Sequence, residues 1–202
     1  MKSCIALCTL ALLTACGGGK TNVAERLAVS SPQTENVNEA NLIPKRSIKM
    51  DGRTNEALEN LDKISKGAAV YYATPHVLDT GQKLPCQFPA NVKSSPAASC
   101  CAPEIDTDGD GRCNFKAASW MDPSWPALSF SFFAEDQHRY VYKVKSSGTL
   151  KDAKMEIFAY GDLDCDGEMS TFKRTLLGDP QANFAECAMQ SPGPIEKINP
   201  NE

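Results

Sequence analysis

The sequence is short of the residues on which most enzymes depend. Only two histidines, His76 and His138, occur in 202 residues, and neither accompanies a serine or cysteine nucleophile in a motif such as G-x-S-x-G. HExxH, P-loop and dinucleotide fingerprints are all missing, so the zinc-peptidase, nucleotide-hydrolysing and hydride-transfer signatures are missing with them. No basic cluster extends beyond Lys45-Arg46, and the formal net charge is −4, which argues against nucleic acid as a partner. Pairs of the CxxC type that build zinc sites are also lacking.

The N-terminus reads as an export signal. Lys2 is followed by an apolar stretch from Ile5 to Leu13 and small residues up to Cys16. That is the layout of a secretory signal peptide over residues 1 to 15, too short to cross a bilayer as a stable helix. Leu13-Thr14-Ala15-Cys16 also looks like a bacterial lipobox, in which Cys16 becomes the lipidated first residue of the mature chain. Gly17 stands where an inner-membrane retention aspartate would sit, which points to the outer membrane. The alternative is a plain signal peptide cleaved near Ala15. Removing residues 1 to 15 takes away Lys2 and no acid, so 20 basic side chains face 25 acidic ones and the net charge becomes −5.

Cysteine usage agrees with export. Nine cysteines become seven after cleavage, Cys16 is assigned to lipid, and Cys86, Cys100, Cys101, Cys113, Cys165 and Cys187 remain. An even set in an exported chain predicts three disulfides, with fifteen possible connectivities. The adjacent Cys100 and Cys101 are expected to reach different partners, because a bridge between neighbours strains the intervening peptide. The rival reading is a zinc site built from Cys100, Cys101 and Cys113.

Residues 16 to 50 are polar, small and poor in aromatics, a composition that predicts a flexible tether. The globular domain is expected over residues 51 to 202. A helix is predicted from near Asn55 to Ala73, with Leu58, Leu61, Ile64, Ala68 and Tyr72 on one face and Glu59, Asp62, Lys63 and Lys66 on the other. Thr54 is the expected N-cap, Glu56 falls in the first turn, and Pro75 ends the helix. Pro85 to Trp125 reads as a long irregular loop, stapled by its cysteines. Leu128, Phe130 and Phe132 alternate with serines and predict a first strand or edge segment. Three further strands are expected within Arg139 to Leu177. Tyr140, Tyr142 and Val144 alternate in the first, Met155, Ile157 and Ala159 in the second, and Ser170 to Leu177 forms the third. Ser147-Gly148-Thr149 is the first turn. The tail from Gln181 is expected to be extended and exposed, pinned by Cys187. The fold class is therefore α+β, one amphipathic helix packed on a small antiparallel sheet.

Two segments share the pattern D-x-D-x-D-G: Asp106, Asp108 and Asp110 closing on Gly111, and Asp162, Asp164 and Asp166 closing on Gly167. Alternate carboxylates on a tightly turning backbone converge on one point, the geometry that a hard cation such as calcium requires. The pattern is incomplete, because Ala117 and Lys173 stand where an EF-hand has its bidentate glutamate. Asp and Gly also form ordinary turns, so both readings remain open.

The order of these parts carries a resemblance. A helix ending in ISKGAAVYYA, a Cys-rich loop with FPA and CC, Trp120 and Trp125 with ALSF, then HRYVYKV and IFAYGDLDCDGEMSTFKR together resemble the globular part of type IV pilin-like proteins, over about residues 55 to 187. The resemblance implies a helix on an antiparallel sheet, the pilin-like head. A pilin, however, begins with a strongly apolar helical half bearing a glutamate, whereas Lys20-Thr21-Asn22-Val23-Ala24-Glu25 is polar here. The implied role is thus a non-catalytic, lipid-anchored binding or accessory module of a pilus, secretion or adhesion system, periplasmic or surface-facing. Its expected contact surface is the Cys86 to Cys113 loop. The alternative is a calcium-dependent structural or carbohydrate-binding protein of the cell envelope.

Overall fold

The computed structural model describes residues 52–181, 183 and 186–200. They belong to one of the two compact units into which the chain divides, Ser47–Glu202. The expected signal peptide of residues 1 to 15, Cys16 and the expected tether of residues 16 to 50 lie outside the described residues.

The unit is α+β, with one five-stranded antiparallel sheet in the order β1-β2-β3-β4-β5. The strands are β1 (Val92–Ser95), β2 (Val141–Ser147), β3 (Lys154–Gly161), β4 (Ser170–Leu177) and β5 (Glu196–Ile198). The helices are α1 (Gly52–Ala73) and the single turn α2 (Ser124–Ala127). Strong alternation sets the central register: Tyr142 faces Ala159, Val144 faces Ile157, and Met155 faces Leu176. These residues are fully buried, whereas Glu156, Phe158 and Tyr160 between them are only partly covered.

The buried side of the sheet meets α1. Ala57, Leu61, Ile64, Ala68 and Tyr72 are all 0 % exposed, and they recur at the three- and four-residue spacing that makes one helix face. Four polar contacts fix the register of helix on sheet. The Glu56 carboxylate accepts from the Arg139 backbone N–H at 3.0 and 3.1 Å. The Asn60 side-chain amide donates to the Tyr142 hydroxyl at 2.8 Å. The Arg174 guanidinium donates to Asp62 at 3.0 Å. The Tyr72 hydroxyl donates to the Leu150 carbonyl at 2.8 Å. Gly67 lets α1 approach α2, since a Cβ there would lie 1.8 Å from the Leu128 carbonyl oxygen.

Several expectations are corrected. Thr54 is not the N-cap, because the helix starts earlier and holds Thr54 within it, buried. Glu56 leaves the first turn for the same reason, and its carboxylate serves the sheet instead. Leu128, Phe130 and Phe132 form no strand. The Leu128 N–H closes α2 on Ser124 and Trp125, Ser129 takes a left-handed φ of 52°, and Phe130 turns back onto the Trp125 carbonyl. The sheet edge near these residues is taken by β1, whose Ser95 hydroxyl accepts the Trp125 indole N–H at 3.0 Å. The tail is not merely extended: Thr171 pairs with Ile198 and Lys173 with Glu196, so β5 forms a sheet edge, although its residues stay exposed.

Gly67→Ala is expected to lower unfolding free energy by about 1–3 kcal/mol, through overpacking that outweighs alanine's better helix propensity. Gly52→Ala, where nothing lies within 4 Å, should stay within about 0.5 kcal/mol. Urea unfolding of both variants measures this; equal midpoints would remove the Gly67 contact from the account.

Candidate functional site: two aspartate loops on a vicinal cysteine staple

The six cysteines close three bridges. Cys86 pairs with Cys187, Cys100 with Cys113, and Cys101 with Cys165, at Cα–Cα separations of 5.3, 4.4 and 5.5 Å. The first bridge pins the tail to the segment before β1, as expected of Cys187. The adjacent pair sends each member to a different partner, also as expected. In the chain-entropy model the short loop is worth about 3 kcal/mol and the longest about 4.7.

The vicinal pair has a geometric result that the sequence did not reveal. Cys113 lies two residues beyond the first aspartate loop, and Cys165 lies inside the second. With Cα–Cα separations of 4.4 and 5.5 Å across the two bridges and about 3.8 Å between neighbouring Cα atoms, Cys113 and Cys165 are at most about 14 Å apart. Both loops therefore hang from one dipeptide.

The two loops fold alike. In the first, Asp106 accepts backbone N–H groups from Gly109 at 2.7 Å, Gly111 at 2.8 Å and Asp110 at 3.1 Å. In the second, Asp162 accepts those of Asp166 and Gly167, each at 3.1 Å. The third aspartate of each loop caps the residue two further on: Asp110 accepts from Arg112 at 2.9 Å and Asp166 from Glu168 at 2.8 Å. Positive φ recurs at matching places, at Gly109 and Gly111 in one loop and at Cys165 and Gly167 in the other. A left-handed cysteine is costly without support, and its bridge to Cys101 supplies it.

Within each loop one oxygen from every aspartate lies within 4.8 Å of the others. Asp106 is half-buried, Asp162 buried, and the other four are exposed. Burial pushes the Asp106 carboxyl up, but the Gly111, Gly109 and Asp110 N–H groups outweigh it and hold the group below the usual carboxylate range. Oxygen-only donors at this spacing could hold a hard cation, which fills its remaining positions with carbonyls and water. Neither twelfth position contributes a carboxylate: Ala117 opens a 3₁₀ turn, and Lys173 pairs with Glu196 at 3.1 Å and Glu156 at 3.8 Å. Asn114 completes the first loop instead, accepting the Thr107 N–H and hydroxyl at 2.5 and 2.7 Å and reaching Asp108 at 3.4 Å. Its place in the pattern was readable in the sequence, but its role was not.

The zinc reading of Cys100, Cys101 and Cys113 fails on covalent grounds. Cys100, Cys113 and His138 do bring ligand atoms within 4.8 Å of one another, yet the two sulfurs share one bridge and offer no thiolate. Cys101 is bonded to Cys165.

Neither histidine meets a nucleophile among the described residues. His76 stacks on Tyr71 with ring centres 3.9 Å apart, and its Nε2 lies 2.9 Å from the Tyr71 carbonyl. His138 is 1 % exposed. Its Nδ1 sits 2.9 Å from the Tyr140 carbonyl, Phe132 stacks on its ring at 4.1 Å, and Trp120 meets it edge-on at 5.6 Å. Burial pulls its pKa down to about 4, and the Tyr140 carbonyl and the Asp136 charge recover only part of that shift. Glu56 moves the other way, raised by burial against the opposing Arg139 and Tyr142 hydrogen bonds.

No protein-family model matches the chain, and no curated protein or solved structure matches it either.

The His138 shift makes stability depend on pH. The unfolded imidazole takes a proton near pH 6.5, whereas the folded one stays neutral down to about 4. Its contribution is full above pH 6.5 and is lost as pH falls towards 4. Glu56, with its raised pKa, contributes most below its ordinary value and loses that contribution as pH rises. Between pH 7 and pH 5 the native chain should lose about 2 kcal/mol more stability than His138→Gln. Urea unfolding at both pH values tests this; parallel losses would show that His138 does not carry the effect.

Proposed function

We propose that this chain is a non-catalytic binding or accessory module, a pilin-like head carried on a lipid anchor at Cys16, serving a pilus, secretion or adhesion system of the outer membrane. The observation that carries the reading is the staple at Cys100 and Cys101. It ties a long loop-rich segment, which also contributes the edge strand β1, to a rigid sheet, the arrangement in which loops take on recognition while the scaffold supplies stability. The order of helix, Cys-rich loop and antiparallel strands supports the pilin-like part, as does the GDLD to STF segment between β3 and β4. Both histidines are spent on packing and backbone contacts, which supports a role without chemistry. Loss of the gene is expected to impair piliation, secretion or surface adhesion; a strain unchanged in all three would overturn the reading.

The converging carboxylates favour a second reading, a calcium-dependent structural or carbohydrate-binding protein of the cell envelope. Asp106, Asp108 and Asp110 would hold one ion, with Asp162, Asp164 and Asp166 a second site. An ion there would offset the mutual repulsion of three carboxylates and link calcium binding to the staple. At calcium about 100-fold above the dissociation constant, unfolding free energy should rise by about 2.7 kcal/mol per site. Asp108→Asn combined with Asp110→Asn should abolish the gain from the first loop. Calorimetry in calcium and in chelator decides: coincident melting curves would reject the calcium reading.

A further inference from the structure

The chain is acidic overall, yet one surface is not. The outward side chains of β1, β2 and β3 frame a groove of about 440 Å³ lined by Lys93, Lys143, Lys145 and Lys154, with Glu156 as its one acid. Glu156 is engaged by Lys154 at 3.0 Å and by Lys173 at 3.8 Å. Lys93 and Lys143 have no ion pair among the described residues, and Lys145 extends over the Phe158 ring, 5.6 Å from its centre. Lys143 and Lys145 are two residues apart on one strand, so their Cα atoms repeat about 7 Å apart along the groove. A surface that gathers cations in a chain of net charge −4 focuses attraction for an anion.

We propose that this groove binds an acidic polysaccharide. The inference rests on reading the domain as a binding module, and it names the partner's chemistry. Lys93 and Val92 lie in the Cys86 to Cys113 segment, so the groove is partly built by the stapled loop. Lysines act as point charges and offer no rigid fork, which suits carboxylates or sulfates spaced along a chain. Neutral polar side chains stand beside them: Asn91 and Ser147, both exposed, belong to the same lining. Such groups match a polyhydroxylated partner.

Two other polyanions fit less well. Single-stranded nucleic acid would need open aromatic faces for its bases. The Phe158 and Tyr160 rings instead stack on each other, 5.7 Å apart and 5° from parallel, and Lys145 covers Phe158. An anionic bilayer surface is met by basic residues together with apolar groups that enter the interface, and the only aliphatic side chains lining the groove, Val92 and Val144, are themselves buried.

The test uses the full-length chain in detergent and measures binding to alginate and heparin as probes, beside neutral dextran, a single-stranded oligonucleotide and phosphatidylglycerol vesicles. Binding to the acidic glycans is expected, weakening about tenfold or more as salt rises from about 50 to about 500 mM. Lys143→Glu with Lys145→Glu should weaken it at least tenfold, while Lys83→Glu with Lys151→Glu, an exposed pair outside the groove, should leave it unchanged. If the first pair disturbs folding by circular dichroism, Lys93→Gln with Lys154→Gln on the groove walls gives the same reading. No glycan binding, equal loss in the control pair, or tighter binding to the oligonucleotide or vesicles would each overturn the proposal. If the gene's loss still impairs piliation, secretion or adhesion, only the groove falls. If glycan binding stands while all three are unchanged, the accessory role falls instead.

Discussion

The constraint on which the stapled half of the molecule depends is that two adjacent cysteines are poorly placed to bridge each other. Cys100 and Cys101 must leave the backbone in different directions, and each therefore pulls a different segment towards the same dipeptide. One bridge closes 13 residues and the other 64. The short one ends just past the first aspartate loop, and the long one reaches the connection between β3 and β4. A segment rich in proline, serine and glycine has too little apolar surface to fix itself, and covalent closure removes much of the chain entropy that would oppose order. Two acidic turns are thereby held near one another, and the second can keep a cysteine in the left-handed conformation that the first gives to glycine.

The other half is held by burial with a few polar contacts that set its register. A helix face of alanine, leucine, isoleucine and tyrosine could slide along an apolar sheet with little penalty. Glu56, Asn60 and Asp62 prevent this, because each has a partner on the sheet side: the Arg139 N–H and Tyr142 hydroxyl for Glu56, the Tyr142 hydroxyl for Asn60 and the Arg174 guanidinium for Asp62. Tyr142 is fully buried, and its hydroxyl would be costly there without the Asn60 and Glu56 contacts at 2.8 and 3.3 Å. The aromatic cluster of Trp120, Trp125, Phe130 and Phe132 fills the space beside it. His138 belongs to that cluster as a buried packing residue, which explains its depressed pKa.

Charge is divided in the same way. Aspartates gather in the two stapled loops and lysines on the outward face of β1 to β3, so a net charge of −4 conceals two surfaces of opposite sign. A whole-chain balance excludes little about a local surface, since fields near a protein fall off within about a Debye length.

Much of the core was legible in the sequence because its signals are local. Period-2 alternation placed β2, β3 and β4 within one or two residues, and an even set of cysteines, behind an N-terminus read as an export signal, announced three bridges. D-x-D-x-D-G marked both turns, since each needs only its own aspartates and glycines. What the sequence could not supply were choices made between distant segments. β1 and β5 are four and three residues long and owe their existence to partners at β2 and β4. Leu128 to Phe132 has strand-like alternation, but the helical turn before it and β1 at the edge leave it no ladder to join. Which of fifteen pairings the cysteines adopt, which polar residues of α1 face inward, and which lysines share a groove depend on where the chain returns in space. The sequence by itself determined the elements and their chemistry; the tertiary structure alone decided their pairing, because burial and cross-linking act between residues that no local pattern brings together.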